Sequence, residues 1–213
     1  MNFLPSFPTL LAFAAATLLL AATPGPDMTL SISRALAQGK KAALFVVLGT
    51  SLGIVVHTML VAFGVSALIT ASPTAFLILK TGGAAYLLWL AVQAIRYGSK
   101  FSVNKVEPVK GTPLANISSG FWVNLLNPKV IIFFMTFLPQ FVSAGDPTVT
   151  QKLLFLGFCF ILIGMPVNAA VVFAADWLAS WLQTNKKVLR GMDFTFAGVF
   201  SVFAAKILLT QAR

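Results

Sequence analysis

Uncharged apolar runs about as long as a bilayer is thick recur along this chain, and they dictate the kind of fold it adopts. The stretches 4–22, 42–69 and 153–175 carry no charge, and 74–95 carries only Lys80. Roughly 20 such residues cross the hydrocarbon layer as a helix. Two less clean stretches follow the same logic: 113–138, interrupted at 127–129, and 194–209, which holds Lys206. At 58% hydrophobic and 9% charged over 213 residues, the chain has too little polar surface for a soluble globule. The reading is an all-α integral membrane protein, a single helical domain over 1–213. It has six transmembrane helices, or five if the fourth is re-entrant.

Two of these spans are broken by proline. Thr23, Pro24, Gly25, Pro26 and Asp27 follow the first run, and Asn124, Leu125, Leu126, Asn127, Pro128 and Lys129 interrupt the fourth. Proline removes a backbone donor and frees a carbonyl, and the hydrocarbon layer has no water to satisfy either group. Such breaks persist where protein or a polar cavity takes up the freed groups, which is how membrane transport sites are built. A weaker internal similarity sets Pro24 against Pro113 and Lys40 against Lys129. It suggests duplicated elements, each a short amphipathic helix ahead of a full span.

The net charge of +10 invites a nucleic-acid reading, but the placement of the basic residues excludes it. Arg34, Lys40 and Lys41 lie between spans one and two. Arg96, Lys100, Lys105 and Lys110 lie between three and four, and Lys186, Lys187 and Arg190 between five and six. The alternate loops are almost free of basic residues. The positive-inside rule therefore faces the basic loops to the cytoplasm and both termini outward, with anionic lipids as partners for the charge. A cleaved signal peptide is not expected, because no Lys or Arg precedes Arg34. The single cysteine, Cys159, lies in the fifth span as an apolar packing residue and has no partner for an internal disulfide. No loop is long enough for a soluble domain, so the activity lies within the bilayer.

One motif points elsewhere. Gly49, Thr50, Ser51, Leu52 and Gly53 match the G-x-S-x-G pattern of serine hydrolases, with His57 close behind. A nucleophile elbow needs a strand-to-helix turn, and this segment lies within a long apolar helix. Along one helix Ser51 and His57 stand about 9 Å apart axially and about 120° apart around it, beyond hydrogen-bond reach. Gly49 and Gly53 read instead as a small-residue face for close helix packing, with His57 one turn further. His57 is kept as a candidate proton relay. No catalytic, metal or cofactor constellation is expected, and the chain is not read as an enzyme.

The polar residues at the two breaks carry the chemistry. Asp27 follows Pro26 where a helix restarts, so it either caps that helix or accepts a cationic group or a coupling proton. Asn127 suits an amino-terminal cap and Pro128 a first helical residue. Lys129 adds positive charge beside the exposed amides, a combination that attracts carboxylates; its alternative is snorkelling to the interface. An acid and a basic helix start together suit a zwitterion, the ammonium on Asp27 and the carboxylate on Lys129. Asn116 and Asn124 precede the second break and either line a polar route or bond across helices. Trp89, Trp122, Trp177 and Trp181 read as interfacial anchors.

These segments also resemble a known family, the lysine exporter and homoserine/threonine resistance (LysE/RhtB) permeases of bacteria. The resemblance rests on Pro24-Gly25-Pro26-Asp27, the Gly49 to His57 stripe, the run from Leu79 and Lys80 through Trp89 to Leu90, and Phe121 to Phe141 with Asn127-Pro128-Lys129. It implies a six-span inner-membrane exporter of amino acids driven by the proton-motive force. Many members carry an acidic residue midway through the fifth span where this chain has Asn168. If a proton is coupled, Asp27 is left as the leading candidate. Lys80 is close enough to the outer surface to snorkel, with a cavity role as the alternative. With one acid in a credible site, a small neutral amino acid is expected as substrate ahead of a dibasic one. Basic amino acids or another small metabolite are the alternative cargo, and a scaffold or intramembrane enzyme the alternative class. Gly49/Gly53 and Gly82/Gly83 offer faces for packing within the chain or in a homo-oligomer.

Overall fold

The computed structural model describes residues 4–97, 111–143 and 145–211. The basic linker with Lys100, Lys105 and Lys110, and the terminal Arg213, lie outside them. Among the described residues every regular element is helical: α1 (Phe7–Ala22), α2 (Pro26–Gln38), α3 (Lys40–Ala71), α4 (Pro73–Tyr97), α5 (Pro113–Leu125), α6 (Pro128–Ile132), α7 (Val149–Phe173), α8 (Ala175–Thr184) and α9 (Lys186–Gln211). Four of these, α3, α4, α7 and α9, are each long and apolar enough to cross a membrane. Two further pairs are bent, α1 with α2 by 51° and α5 with α6 and its continuation by 52°, which gives six spans if each pair is one.

Local chemistry sets the boundaries. Ser6 caps α1, its hydroxyl accepting from the Thr9 amide at 3.4 Å. Helix α1 stops ahead of Pro24, and α2 opens on Pro26, whose missing N–H costs nothing in a first turn. Gly39 ends α2 with φ +86°, a backbone conformation that favours glycine, and the chain re-enters as α3. Past α6 the backbone dilates into a π-helical turn, Phe133–Phe137, then tightens into a 3₁₀ turn, Leu138–Phe141. Pro139 gives the reason: it has no N–H for the carbonyl four residues back, Met135, and its ring crowds that group.

The closest crossing is α3 on α5. A Cβ at Gly49 would stand 2.0 Å from the Ile117 carbonyl oxygen, and one at Gly120 would stand 2.2 Å from that of Val46. Only glycine permits backbones this near. Gly53 presses on Asn124, Gly83 on Thr136 and Gly157 on Thr58, whereas Gly82 meets nothing within 4 Å. Three of the four glycines expected at packing faces are thus used within the chain. The largest remaining core cluster mixes aliphatic side chains with aromatic rings. Phe13, Phe133, Phe134, Phe137, Phe160 and Phe200 are buried where α1, the carboxyl half of the fourth span, α7 and α9 meet, with Phe133 and Phe137 centroids 4.6 Å apart. Cys159 packs against this cluster as a small apolar residue.

The contact pattern pairs α3 with both α5 and α7, and α4 with α9, while α1 and α2 lean on α7. Exchanging spans one to three with four to six maps these pairs onto one another, but α2 also packs on α3, and α3 on α4, without comparable contacts of the fourth span on α7 or of α7 on α9, so the equivalence of the broken spans is partial. The register read from sequence is different. It matched Pro24 with Pro113, but Pro24 lies in the first break whereas Pro113 opens α5. The equivalence is between break and break.

Candidate functional site

Both breaks come together at one place. Asp27, in the first turn of α2, accepts from Asn124 Nδ2 at 2.6 Å and from Asn127 Nδ2 at 3.0 Å, one amide on each carboxylate oxygen. Gly25, at the cap position of α2, offers no side-chain cap, and the Asp27 side chain turns to the neighbouring span rather than to the amides of its own helix. The Asp27 side-chain bonds thus run across helices to Asn124 and Asn127. Asn127 serves twice. Its Oδ1 accepts from the Lys129 backbone amide at 3.0 Å, capping the helix that Pro128 opens, while its Nδ2 holds Asp27.

Lys129 does not snorkel. Its Nζ donates to the carbonyls of Thr23 at 2.7 Å and Leu20 at 3.0 Å, the groups left without helical partners where α1 ends. A cation at a helix carboxyl end also complements the dipole. The stem lies over Gly25, where a Cβ would be 3.6 Å from Lys129 Cδ. The two spans are thus cross-linked reciprocally, an anion from the first on amides of the fourth and a cation from the fourth on carbonyls of the first. Asp27 is the group that both Lys129 and His57 act on electrostatically across this junction.

A small polar cavity of about 60 Å³ adjoins it, lined by Asp27, Thr50, Ser51, Asn124, Lys129 and Asn168 among others. At roughly 15 Å³ per water it holds a few water molecules. Asn168 of α7, expected at this depth from the family resemblance, is therefore brought to the site. Pro166, inside α7, leaves the Leu162 carbonyl without its helical donor nearly two turns before Asn168. Asn124 Oδ1 is buried with no partner among the described residues, an acceptor left open beside Asp27.

The other candidates fall elsewhere. His57 is buried, its Nε2 at 3.4 Å from the Asn124 carbonyl and its ring 5.7 Å from that of Phe134; it backs the junction without lining the polar cavity. Ser51 Oγ donates to the Val47 carbonyl at 2.9 Å, so Ser51 and His57 have separate partners, as the helical reading requires. Lys80 lies away from the junction. Its Nζ donates to the Val142 carbonyl at 3.2 Å, and Gln140 Nε2 donates to the Lys80 carbonyl at 3.2 Å, tying α4 to the carboxyl end of the fourth span. It does not line the polar cavity. Asn116 bonds across helices, donating to Gln38 Oε1 at 3.1 Å. Trp177 and Trp181 stack at 5.3 Å on the short α8, and Asp176 in its first turn is exposed.

Sequence reasoning missed Asp193. It sits just ahead of the sixth apolar run and is buried at 3% exposure. Its charge acts on Lys129. The expectation of one acid near the site is corrected to two. The signal available was that an acid lies within a turn of an apolar span, a costly position that asks for a reason.

A family model for LysE type translocators matches residues 18–211. The homoserine/homoserine lactone efflux protein of Salmonella typhimurium is 29% identical over 202 residues, covering 95% of this chain and 96% of the relative. An uncharacterized membrane protein of Vibrio cholerae is 32% identical over 95% of this chain and 97% of its own length. The leucine efflux protein of an Enterobacter species is 26% identical over 86% and 87%. No solved structure matches the chain. Family model, full-length relatives and helical membrane architecture agree that the chain belongs to the LysE type translocators, a family of transporters rather than enzymes.

Proposed function

We propose that this protein exports a small neutral amino acid or a close derivative across the bacterial cytoplasmic membrane, both termini outside, by proton-coupled alternating access. One observation carries the reading: both broken spans meet at a polar cavity where an acid and a base from opposite spans hold each other's backbone and amide groups. An amino-acid carboxylate competes with the Leu20 and Thr23 carbonyls for Lys129, and an ammonium competes with the asparagine amides for Asp27. Substrate therefore replaces the bonds that join the spans and frees them to move. A proton on Asp27 does the same to the amide bonds, since a neutral carboxyl accepts them less strongly; Lys129 and His57 are the charged or titratable groups facing it. The relatives named for homoserine and leucine efflux support an amino-acid cargo.

The test is counterflow of radiolabelled amino acids in proteoliposomes, wild type beside Asp27→Asn and Lys129→Ala, with and without an imposed pH gradient. Exchange of one amino acid, lost in Lys129→Ala and stripped of its pH response in Asp27→Asn, supports the reading. A folded wild type that exchanges no amino acid overturns the substrate class, and full pH dependence in Asp27→Asn overturns the coupling role.

A further inference from the structure

A second cavity lies against the other side of the junction. It measures about 520 Å³, and Lys129, Thr23 and Leu20 line both it and the polar cavity. Its walls are α4 and α9, with the rings of Tyr86, Trp89, Phe133, Phe196 and Phe200. Two charged side chains reach it, Lys129 and the buried Asp193. Tyr97, exposed at the last position of α4, is among its lining residues. Arg190, one turn ahead of Asp193, donates to the Ala94 carbonyl at 3.1 Å and to that of Ile95, which pins α9 to α4 there.

We infer that this chamber is the loading site for an α-amino acid with an apolar side chain, the carboxylate on Lys129, the ammonium on Asp193 and the side chain among the rings. The inference rests on amino-acid export as proposed above and deepens it. The polar cavity holds only a few waters, so a substrate bearing a side chain needs other room before the junction opens. The chamber is within the range of small-molecule sites and, like them, mainly apolar with few polar groups. Its one base and one acid match the two charges of a zwitterion. Among the described residues no other acid lines it for a cationic side chain, and the walls are rings, which matches an apolar side chain. Lys129 is the element shared by the two cavities, so a carboxylate on it passes from chamber to junction without losing its partner. The position of α9 then governs selectivity, through Asp193 and the Phe196 and Phe200 walls.

The test uses the full-length protein in proteoliposomes and compares half-saturation of counterflow for alanine and leucine in wild type, Asp193→Asn, Asp193→Glu and Leu90→Trp, Leu90 being a chamber-lining residue. Loss of a charged partner is expected to raise half-saturation for both amino acids about tenfold in Asp193→Asn, with partial recovery in Asp193→Glu. Leu90→Trp, which fills the chamber, is expected to weaken leucine far more than alanine. If no amino acid exchanges in folded wild type, the export reading itself falls. If wild type exchanges but folded Asp193→Asn keeps its half-saturation, or Leu90→Trp affects both amino acids equally, the chamber assignment is overturned while export stands. Should Asp193→Asn not fold, as judged by size exclusion, Leu90→Trp decides alone.

Discussion

Replacing Gly49 by alanine tests the crossing that carries the site. The new Cβ would lie 2.0 Å from the Ile117 carbonyl oxygen, against an ordinary contact of 3.4 Å or more, and both groups are backbone that cannot rotate away. Relief requires α5 to retreat by about 1.4 Å. Asn124 lies one turn beyond Gly120 on α5, so the same retreat stretches its 2.6 Å bond to Asp27 toward loss. Overpacking of this kind costs about 1–3 kcal/mol. Losing a hydrogen bond to a charged group adds about 1.5–3 kcal/mol. Alanine returns up to about 1 kcal/mol of helix propensity, so the net cost is about 1.5–5 kcal/mol. At about 2–4 °C per kcal/mol for a chain of this size, the unfolding midpoint in detergent falls by roughly 3–20 °C.

Gly64→Ala is the internal control. It sits on the same helix with nothing within 4 Å of its would-be Cβ, and gains up to about 1 kcal/mol from propensity. Size exclusion after a temperature ramp ranks the two directly. Gly49→Ala as stable as Gly64→Ala would refute the close crossing. Gly49→Ala combined with Gly120→Ala is expected to cost less than the two single changes together, because the first has already parted the helices.

Lys129→Met keeps most of the stem but strands the Leu20 and Thr23 carbonyls; we expect about 2–3 kcal/mol of lost stability and loss of counterflow, with Lys129→Arg retaining part of both, read by thermal midpoint and exchange in parallel. Asn124→Leu is expected to cost about 1.5–3 kcal/mol in wild type and clearly less in an Asp27→Leu background, and a double-mutant cycle with no coupling would refute the bond. In the loop ahead of α7, Asp146 pairs with Lys152 and accepts from Thr148 Oγ1 at 2.7 Å and from Thr148 N at 2.8 Å. The Lys152 bond above all holds its carboxyl down at about 2. A folded pKa below the unfolded one means stability present above pH ~4 and lost as pH falls from there toward ~2. Asp146→Asn should therefore flatten the acid limb of a midpoint-against-pH curve, and an unchanged limb would sink this assignment.

Much of this molecule is legible in its sequence, because lipid imposes a length and a polarity that few other solvents do. The six apolar runs and both breaks are where proline and composition place them, and Asn127 and Pro128 cap and open α6 as their types dictate. The partners were not legible. Asp27 reads equally well as a cap of its own helix, since nothing local reveals that Asn124 stands 2.6 Å away across a crossing. Lys129 and Lys80 both read as snorkelling lysines, yet each is held by carbonyls of another segment that helix ends leave free. The π turn at Phe133–Phe137 follows from Pro139 only once the helix is known to continue through it. Asp193 was hidden by lying one residue outside an apolar window.

The junction's bonds are of a kind suited to switching. A break held by apolar packing would resist opening at every step of a cycle, because no solute the size of an amino acid replaces close-packed side chains. Here the first span is held through two carbonyls on a lysine and a carboxylate on two amides. Each of these has a chemical equivalent in the proposed cargo: a carboxylate for the carbonyls, an ammonium for the amides. Exchange of like for like leaves no buried charge unpaired at any stage, which keeps the cost of opening near that of a hydrogen-bond swap rather than of a stranded ion.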